Sequence, residues 1–496
     1  MLFNSLQFLV FFVVVTLAYF SLPWRGRWVL LLLASCYFYV VFVPAYILIL
    51  FATIVIDYFA GIWLEKTSGR SRKWLLIVSL ISNVGILAFF KYLGFFTGNL
   101  VGLLDVLGAT QAAETVNAYS LRVLDKVLVL FGQQPVASFS VVNTILPVGL
   151  SFHTFQAMSY TIEVYRGNQK AERHFGIYAL YVMFYPQLVA GPIERPQNVL
   201  WQYHTYFKYD WENVKAGLVQ MAWGFFKKVV IADRLALVVD AAYNHVPEQN
   251  GLTLLVATFF FTFQIYGDFS GYSDIAIGAA RVMGFTLMEN FHAPYEARSI
   301  SEFWRRWHIS LSTWFRDYLY IPLGGNRVGL GRQYVNQFVV FMVSGLWHGA
   351  KWTFVIWGAL HGLYLVLARL RDRWLDRRGI KLPEDNRGYR ALQVLFTFVL
   401  VMLTWVFFRA NSTADAFTVL GRIGSLSWTE ALKTPFNRAE MWFSIGLILA
   451  MLCKENRFFE IPTHRNAVFA SVFGVLVMLC YFFGVFTSNQ FIYFQF

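Results

Sequence analysis

Long apolar runs, broken at short intervals by basic turns, fill this chain from one end to the other. A helix needs roughly 20 apolar residues to cross a bilayer. Candidate runs lie at 5–22, 28–46, 47–64, 74–96, 143–163, 214–243, 252–285, 334–346, 352–370, 391–410, 438–453 and 466–485. Several are too short or too polar for simple crossings, and the segments near 175–195 and 300–325 suit re-entrant or cavity-lining placements. The pattern predicts about 11 transmembrane helices with further re-entrant or interfacial pieces. It predicts one membrane-embedded domain over 1–496. The runs are continuous rather than alternating, which argues against barrel strands, and lipid tolerates no open sheet edge. An all-α polytopic membrane protein follows. The first run, Leu6 to Leu22, has no basic leader and passes straight into Arg25 and Arg27, so it reads as a retained first helix.

Composition strengthens this reading. The chain is 57% hydrophobic and only 14% charged, against about 25% charged in soluble domains. Its 19% aromatic content suits interfacial belts. The net charge of +13 is spread over short turns. By the positive-inside rule, Arg25 and Arg27, the Lys66–Lys73 turn, the eight basic residues of 369–390, and Lys454, Arg457 and Arg465 mark the cytoplasmic side. Both termini, and the segments 97–140 and 411–437, then fall outside. Such turns also meet anionic membrane lipid, and a share of the basic residues is available to an anionic substrate. No soluble basic module is present for nucleic acid. Cys36, Cys453 and Cys480 have neither CxxC nor metal-ligand spacing and read as small buried hydrophobes, so no metal is expected.

Against this background the ionisable residues stand out, because charges within a bilayer are costly and usually line a cavity or a reaction path. The densest set is EFWRRWHISLSTWFRDYLYIPLGGNR (302–327), with Arg305, Arg306, His308, Arg316, Asp317 and Arg327 among Trp304, Trp307 and Trp314. Asp268 and Asp274 lie in an apolar run with Gly267, Gly271 and Gly278, whose spacing lets helices approach closely. These aspartates are expected to be buried counter-charges for Arg305, Arg306 and Arg316, or else direct catalysts. On a continuous helix, Arg305 and Ser312 would share a face with His308. The neighbouring cation would keep that imidazole neutral, as a general base requires; the alternative is a hydrogen-bonded structural histidine. His348 sits in SGLWHGA (344–350), where Ser344 and the glycines clear space and Trp347 can exclude water. His361, in an apolar helix, reads as structural. Lys227 and Lys228, in 212–233, are expected to snorkel from a tilted or interfacial helix. The chain has no GxSxG, Walker A, HExxH or cysteine–histidine pairing. Catalytic histidines here would activate a bound hydroxyl rather than an enzyme nucleophile.

Taken together, LPVGLSFHTFQAMSYTIEVYRG (146–167), AGPIERP (190–196), DFSGYSDIAIG (268–278), ENFHAPY (289–295), the 302–327 block and SGLWHGA resemble the membrane-bound O-acyltransferase (MBOAT) superfamily. They are most like its bacterial alginate and exopolysaccharide O-acetylation branch, which has the D-alanine exporters of teichoic acid as cousins. The resemblance runs roughly from Phe8 to Arg409, and its 302–350 signature is specific. It implies a ring of helices around a central funnel in which donor and acceptor meet. It puts the family's invariant histidine on His348 and a second, more variable polar position on His308. The stretch between 97 and 143 is longer than the family pattern.

The expected activity is O-acetyl transfer from a cytoplasmic thioester donor, acetyl-CoA, to hydroxyls of an exopolysaccharide such as alginate. Transfer is direct or passes through a periplasmic acetyltransferase partner, in the bacterial inner membrane, with no bound cofactor. His348 would act as general base or hold the acyl carbonyl in line. Arg305, Arg306 and His308, with Trp347 and Ser344, would orient substrate or offset oxyanion charge. D-alanyl transfer from a carrier protein is the rival within the enzymes. An ion-coupled transporter is a rival of another class, and it would often show inverted repeats, which are not found. A scaffold of a polysaccharide secretion complex is the third.

Overall fold

The computed structural model describes residues 1–41, 44–131, 133, 149–425, 430–455, 462–486 and 491–492. Among them there are helices and turns but no strand, as a backbone that must satisfy itself in lipid requires. Among the described residues, six helices are long and apolar enough to cross a membrane: Ile47–Lys66, Gly69–Val106, Gly251–Val282, Trp352–Arg378, Arg387–Arg409 and Asn466–Phe483. The other expected runs form shorter or more polar helices, and the start of the run at 143–163 lies outside the described residues. The chain packs as two compact units, Met1–Tyr209 with Met283–Leu287, and Asp210–Val282 with Met288–Gln495.

In the first unit, α1 (Leu6–Ser21) starts at Ser5, whose hydroxyl accepts from the Phe8 N–H, and is followed by α2 (Trp24–Val40). The helices α3 (Ile47–Lys66), α4 (Gly69–Leu87) and α5 (Leu150–Arg166) pack together around polar side chains. Asp57 of α3 is fully buried and accepts from Ser79 at 2.7 Å and Asn83 at 2.8 Å on α4. Thr53 shares a 2.9 Å hydrogen bond with His153 of α5. Gly61 permits this packing, because a Cβ there would lie 2.6 Å from the Tyr160 ring.

In the second unit, α6 (Trp211–Phe225) lies along α7 (Gly251–Val282). Gly217 meets Gly278 and Gly224 meets Gly271, and a Cβ on Gly224 or Gly278 would come within 2.6 Å of the opposite carbonyl. The expected close approach at Gly271 and Gly278 is thus present. Beyond Phe225 the helix widens into a π-helical stretch, Phe226–Ala232. The inserted residue shifts the helical register, and both Lys227 and Lys228 turn inward. Lys227 pairs with Asp274 at 2.6 Å, and Lys228 with Asp268 at 2.7 Å and Asp233 at 2.9 Å. This corrects two expectations. Lysines rather than arginines neutralise Asp268 and Asp274, and those lysines are buried instead of snorkelling. Desolvation explains it, since a buried charge is tolerated only against a partner held at close range.

The unit continues through two short helices, α8 (Ile300–Arg306) and α9 (Ile309–Phe315), then α10 (Leu330–His348), α11 (Trp352–Arg378) and α12 (Arg387–Arg409). Gly345 of α10 and Gly358 of α11 pack Cα against Cα's van der Waals shell, so a Cβ on either would run into a carbonyl of the other helix. Cys453 is exposed and Cys36 and Cys480 are half-buried, contrary to the expectation of buried cysteines.

Candidate active site

The 302–327 block does not form one helix. Its first helix, α8, is capped by Ser299, whose hydroxyl accepts from the Glu302 N–H, while Glu302 accepts from the Arg298 N–H. Burial alone would raise the Glu302 carboxyl, but the Arg298 N–H and the Arg306 guanidinium outweigh it and hold the group below its ordinary value. After Arg306 the chain breaks. Trp307 is extended, and His308 takes the left-handed conformation at φ 43° before α9 begins. Arg305 and His308 therefore do not share a helical face, which corrects the spacing argument made from sequence.

Residues 290–292 stabilise the break. The His292 N–H donates to the Arg306 carbonyl at 2.9 Å, and the Ile309 N–H to the Asn290 carbonyl at 2.9 Å. The Asn290 side chain is 1% exposed; its Oδ1 accepts from the Ser310 hydroxyl at 2.9 Å and its Nδ2 donates to Ser273 at 3.2 Å. Left-handed backbone costs a non-glycine residue of order 1–3 kcal/mol and persists only where its surroundings impose it. Asn290 belongs to the ENFHAPY segment, which pointed here without revealing that role.

The break buries His308 completely. Its ring meets Phe269 edge-on at 4.6 Å and lies 6.4 Å from Phe291 and 6.3 Å from Trp347. His308 is outside the six potential crossings, and burial lowers its pKa to about 3, so the imidazole is neutral. On α10, His348 is 4% exposed and packs against Trp347, Trp357 and Phe408 at 5.0, 5.0 and 5.4 Å. Trp347 thus touches both histidines. The structure brings together these three residues from segments forty positions apart.

Beside them is a cavity of about 540 Å³ lined by Trp304, Arg305, Arg316, Gln337, Ser344 and Arg369, among others. Ser344 lies one helical turn before His348, on the same side of α10. Neither histidine, nor Trp347, nor Arg306 is among the lining residues. Arg306 instead pairs with Glu302 at 2.7 Å and donates to the Ala293 carbonyl, so its position fits holding the break rather than meeting substrate. Arg316 pairs with Asp317 at 2.7 Å and its side chain is 60% exposed, correcting the expectation of a buried charge answered by Asp268 or Asp274. Asp268 and Asp274 belong to the lysine network described above.

His361 has both nitrogens committed. Its Nδ1 accepts from the Trp304 indole N–H at 3.3 Å, and its Nε2 faces the Thr404 hydroxyl at 3.0 Å, which itself donates to the Val401 carbonyl. That pattern assigns the proton to Nε2 and makes His361 a neutral anchor for Trp304, a wall of the cavity. Among the described residues, no three His, Cys, Asp or Glu side chains gather as a metal ion would need.

Residues 173–412 match the family described as MBOAT, membrane-bound O-acyltransferase family. The chain is 36% identical over 460 residues to the "Probable alginate O-acetylase AlgI" of Pseudomonas putida, covering 91% of this chain and 85% of that one. It is 36% identical over 424 residues to the peptidoglycan O-acetyltransferase of Helicobacter pylori, covering 79% and 73%. It is also 31% identical over 284 residues to the teichoic acid D-alanyltransferase of Streptococcus thermophilus, covering 53% and 68%. Identity at this level along nine-tenths of the chain, together with the helical scaffold and the buried histidines, leads to one conclusion: this multi-pass membrane protein belongs to the membrane-bound O-acyltransferase family and is an O-acyltransferase.

Proposed function

We propose that the chain, acting as one membrane domain over 1–496, transfers acetyl groups from cytoplasmic acetyl-CoA to hydroxyls of an exopolysaccharide of the alginate kind. A periplasmic acetyltransferase partner completes the transfer where the polymer is not reached directly. The reading includes about 11 crossings around a central funnel, a place in the bacterial inner membrane, periplasmic termini and contact with membrane lipid. The observation that carries it is the cavity lined by Arg305, Arg316, Arg369 and Ser344, the last a single turn from His348.

Arg316 and Arg369 suit the phosphates of an acyl thioester donor. His348 takes the proton of the acceptor hydroxyl as that oxygen attacks the acyl carbonyl, and the departing thiolate takes the same proton back from His348 to become the thiol. Arg305 and Ser344 present donors where the oxyanion develops. Neutral His308, packed near Trp347, helps to position that ring beside His348. General-base assistance is worth typically about 10²–10⁴-fold.

The test follows free CoA released from acetyl-CoA by the detergent-purified protein, beside His348→Ala and His308→Ala. Release that disappears in folded His348→Ala supports the reading. Undiminished release from that variant overturns the role of His348. No release from wild type, even with polymer present, overturns acetyl-CoA as donor and favours a carrier-bound acyl group.

A further inference from the structure

The turn between α3 and α4 carries Lys66, Arg70, Arg72 and Lys73, four basic residues within eight positions. Arg72 is committed inward, donating to the Val164 carbonyl at 3.1 Å and lying over the Tyr165 ring. Lys66, Arg70 and Lys73 are exposed, and among the described residues none of them forms an ion pair. The nearby Glu65 is taken by Arg173. The turn therefore presents unneutralised positive charge at the ends of two helices that can each cross a membrane.

Next to that charge is an open hollow of about 510 Å³, bounded by Trp63, Lys66, Ser71, Trp74, Leu75 and Val78 among others. Trp63 and Trp74 are 52% and 56% exposed, so two large, partly exposed aromatic rings share the lining of the hollow with a lysine. Their walls continue down α4 through Leu75 and Val78, deeper along the potential crossing. Trp at this level of a helix marks the boundary between headgroups and acyl chains.

We propose that this hollow is a binding site for an anionic phospholipid. The phosphate sits at Lys66 and Ser71, with Arg70 and Lys73 around the mouth, and one acyl chain runs between Trp63 and Trp74 along Leu75 and Val78. A water-soluble anion would leave the aromatic and aliphatic walls unused, and a zwitterionic lipid would leave the positive charge uncompensated. The site lies in the first compact unit and does not depend on where acyl transfer occurs.

The experiment is native mass spectrometry of the full chain released from bilayers of equal phosphatidylglycerol and phosphatidylcholine content. Wild type is expected to retain phosphatidylglycerol preferentially, and Lys66→Ala to weaken that retention about fivefold, in line with the attraction of one basic residue near an anionic surface. Trp63→Ala with Trp74→Ala should reduce retention of both lipids. Equal retention of the two lipids by wild type would overturn the proposal. So would a Lys66→Ala variant that keeps full preference. Glycerol 3-phosphate at matched concentration displacing the lipid would show a free-phosphate site instead and overturn it as well. A conservative Lys66→Arg variant, expected to retain the preference, separates loss of charge from loss of fold.

Discussion

The second unit buries ionisable groups in two ways, one by matching charge with charge and the other by walling imidazoles with aromatic rings. Around α7, Lys227 and Lys228 are matched at 2.6–2.9 Å by Asp274, Asp268 and Asp233, and each charge is answered from within the fold. Around α8 to α11, the imidazoles of His308 and His348 are enclosed by aromatic rings, with an arginine-lined cavity one turn away. Charges answered by charges in low dielectric lock helices in register. Imidazoles walled by rings and set beside a cavity are placed to turn their chemistry toward a bound ligand. The cost of burying a lone charge explains why the aspartates, prominent in sequence, are paired with lysines.

Four substitutions test this division, taken from the largest effect to the smallest. His348→Ala should reduce acyl transfer about 10²–10⁴-fold while leaving the thermal midpoint of the detergent-solubilised protein close to wild type. A collapse of the fold instead would put His348 on the structural side of the contrast. Lys228→Met should do the reverse. It leaves Asp233 and Asp268 without their cation and should cost about 3–5 kcal/mol of stability, with activity per folded molecule retained. Denaturant titration followed by tryptophan fluorescence reads the first quantity, and transfer assays on the surviving fraction read the second.

Asn290→Ala sits on the border of the two regions. Leaving the Ser310 hydroxyl and N–H without the Asn290 Oδ1 that accepts from both should cost about 1–3 kcal/mol. Because the break places His308, kcat should fall further than the folded fraction does. Arg316→Ala is the mildest. Its pair with Asp317 is exposed, so stability should change by less than about 1 kcal/mol, yet KM for the donor should rise if the cavity takes its phosphates. An unchanged KM would remove Arg316 from the proposed donor site.

Much of this was legible from residue patterns. Continuous apolar runs in a chain with 14% charged residues leave helices in a membrane as the only solution, because each helix satisfies its own backbone. The heptad-spaced glycines of α7 announced a close helix pair, and the SGLWHGA and 302–327 segments announced the histidine region before any coordinates. Three things were decided only by tertiary structure. The π-helical stretch at Phe226–Ala232 turned two consecutive lysines inward and gave Asp268 and Asp274 partners that are distant in sequence. The left-handed His308 broke the expected helix, held by Asn290 from another segment. Packing then placed Trp347 against both histidines and His361 against Trp304. Periodicity along a chain specifies which faces are apolar, because that property belongs to each helix alone. Which polar group answers another depends on register and crossing between helices, and those are set by contacts that no local pattern contains.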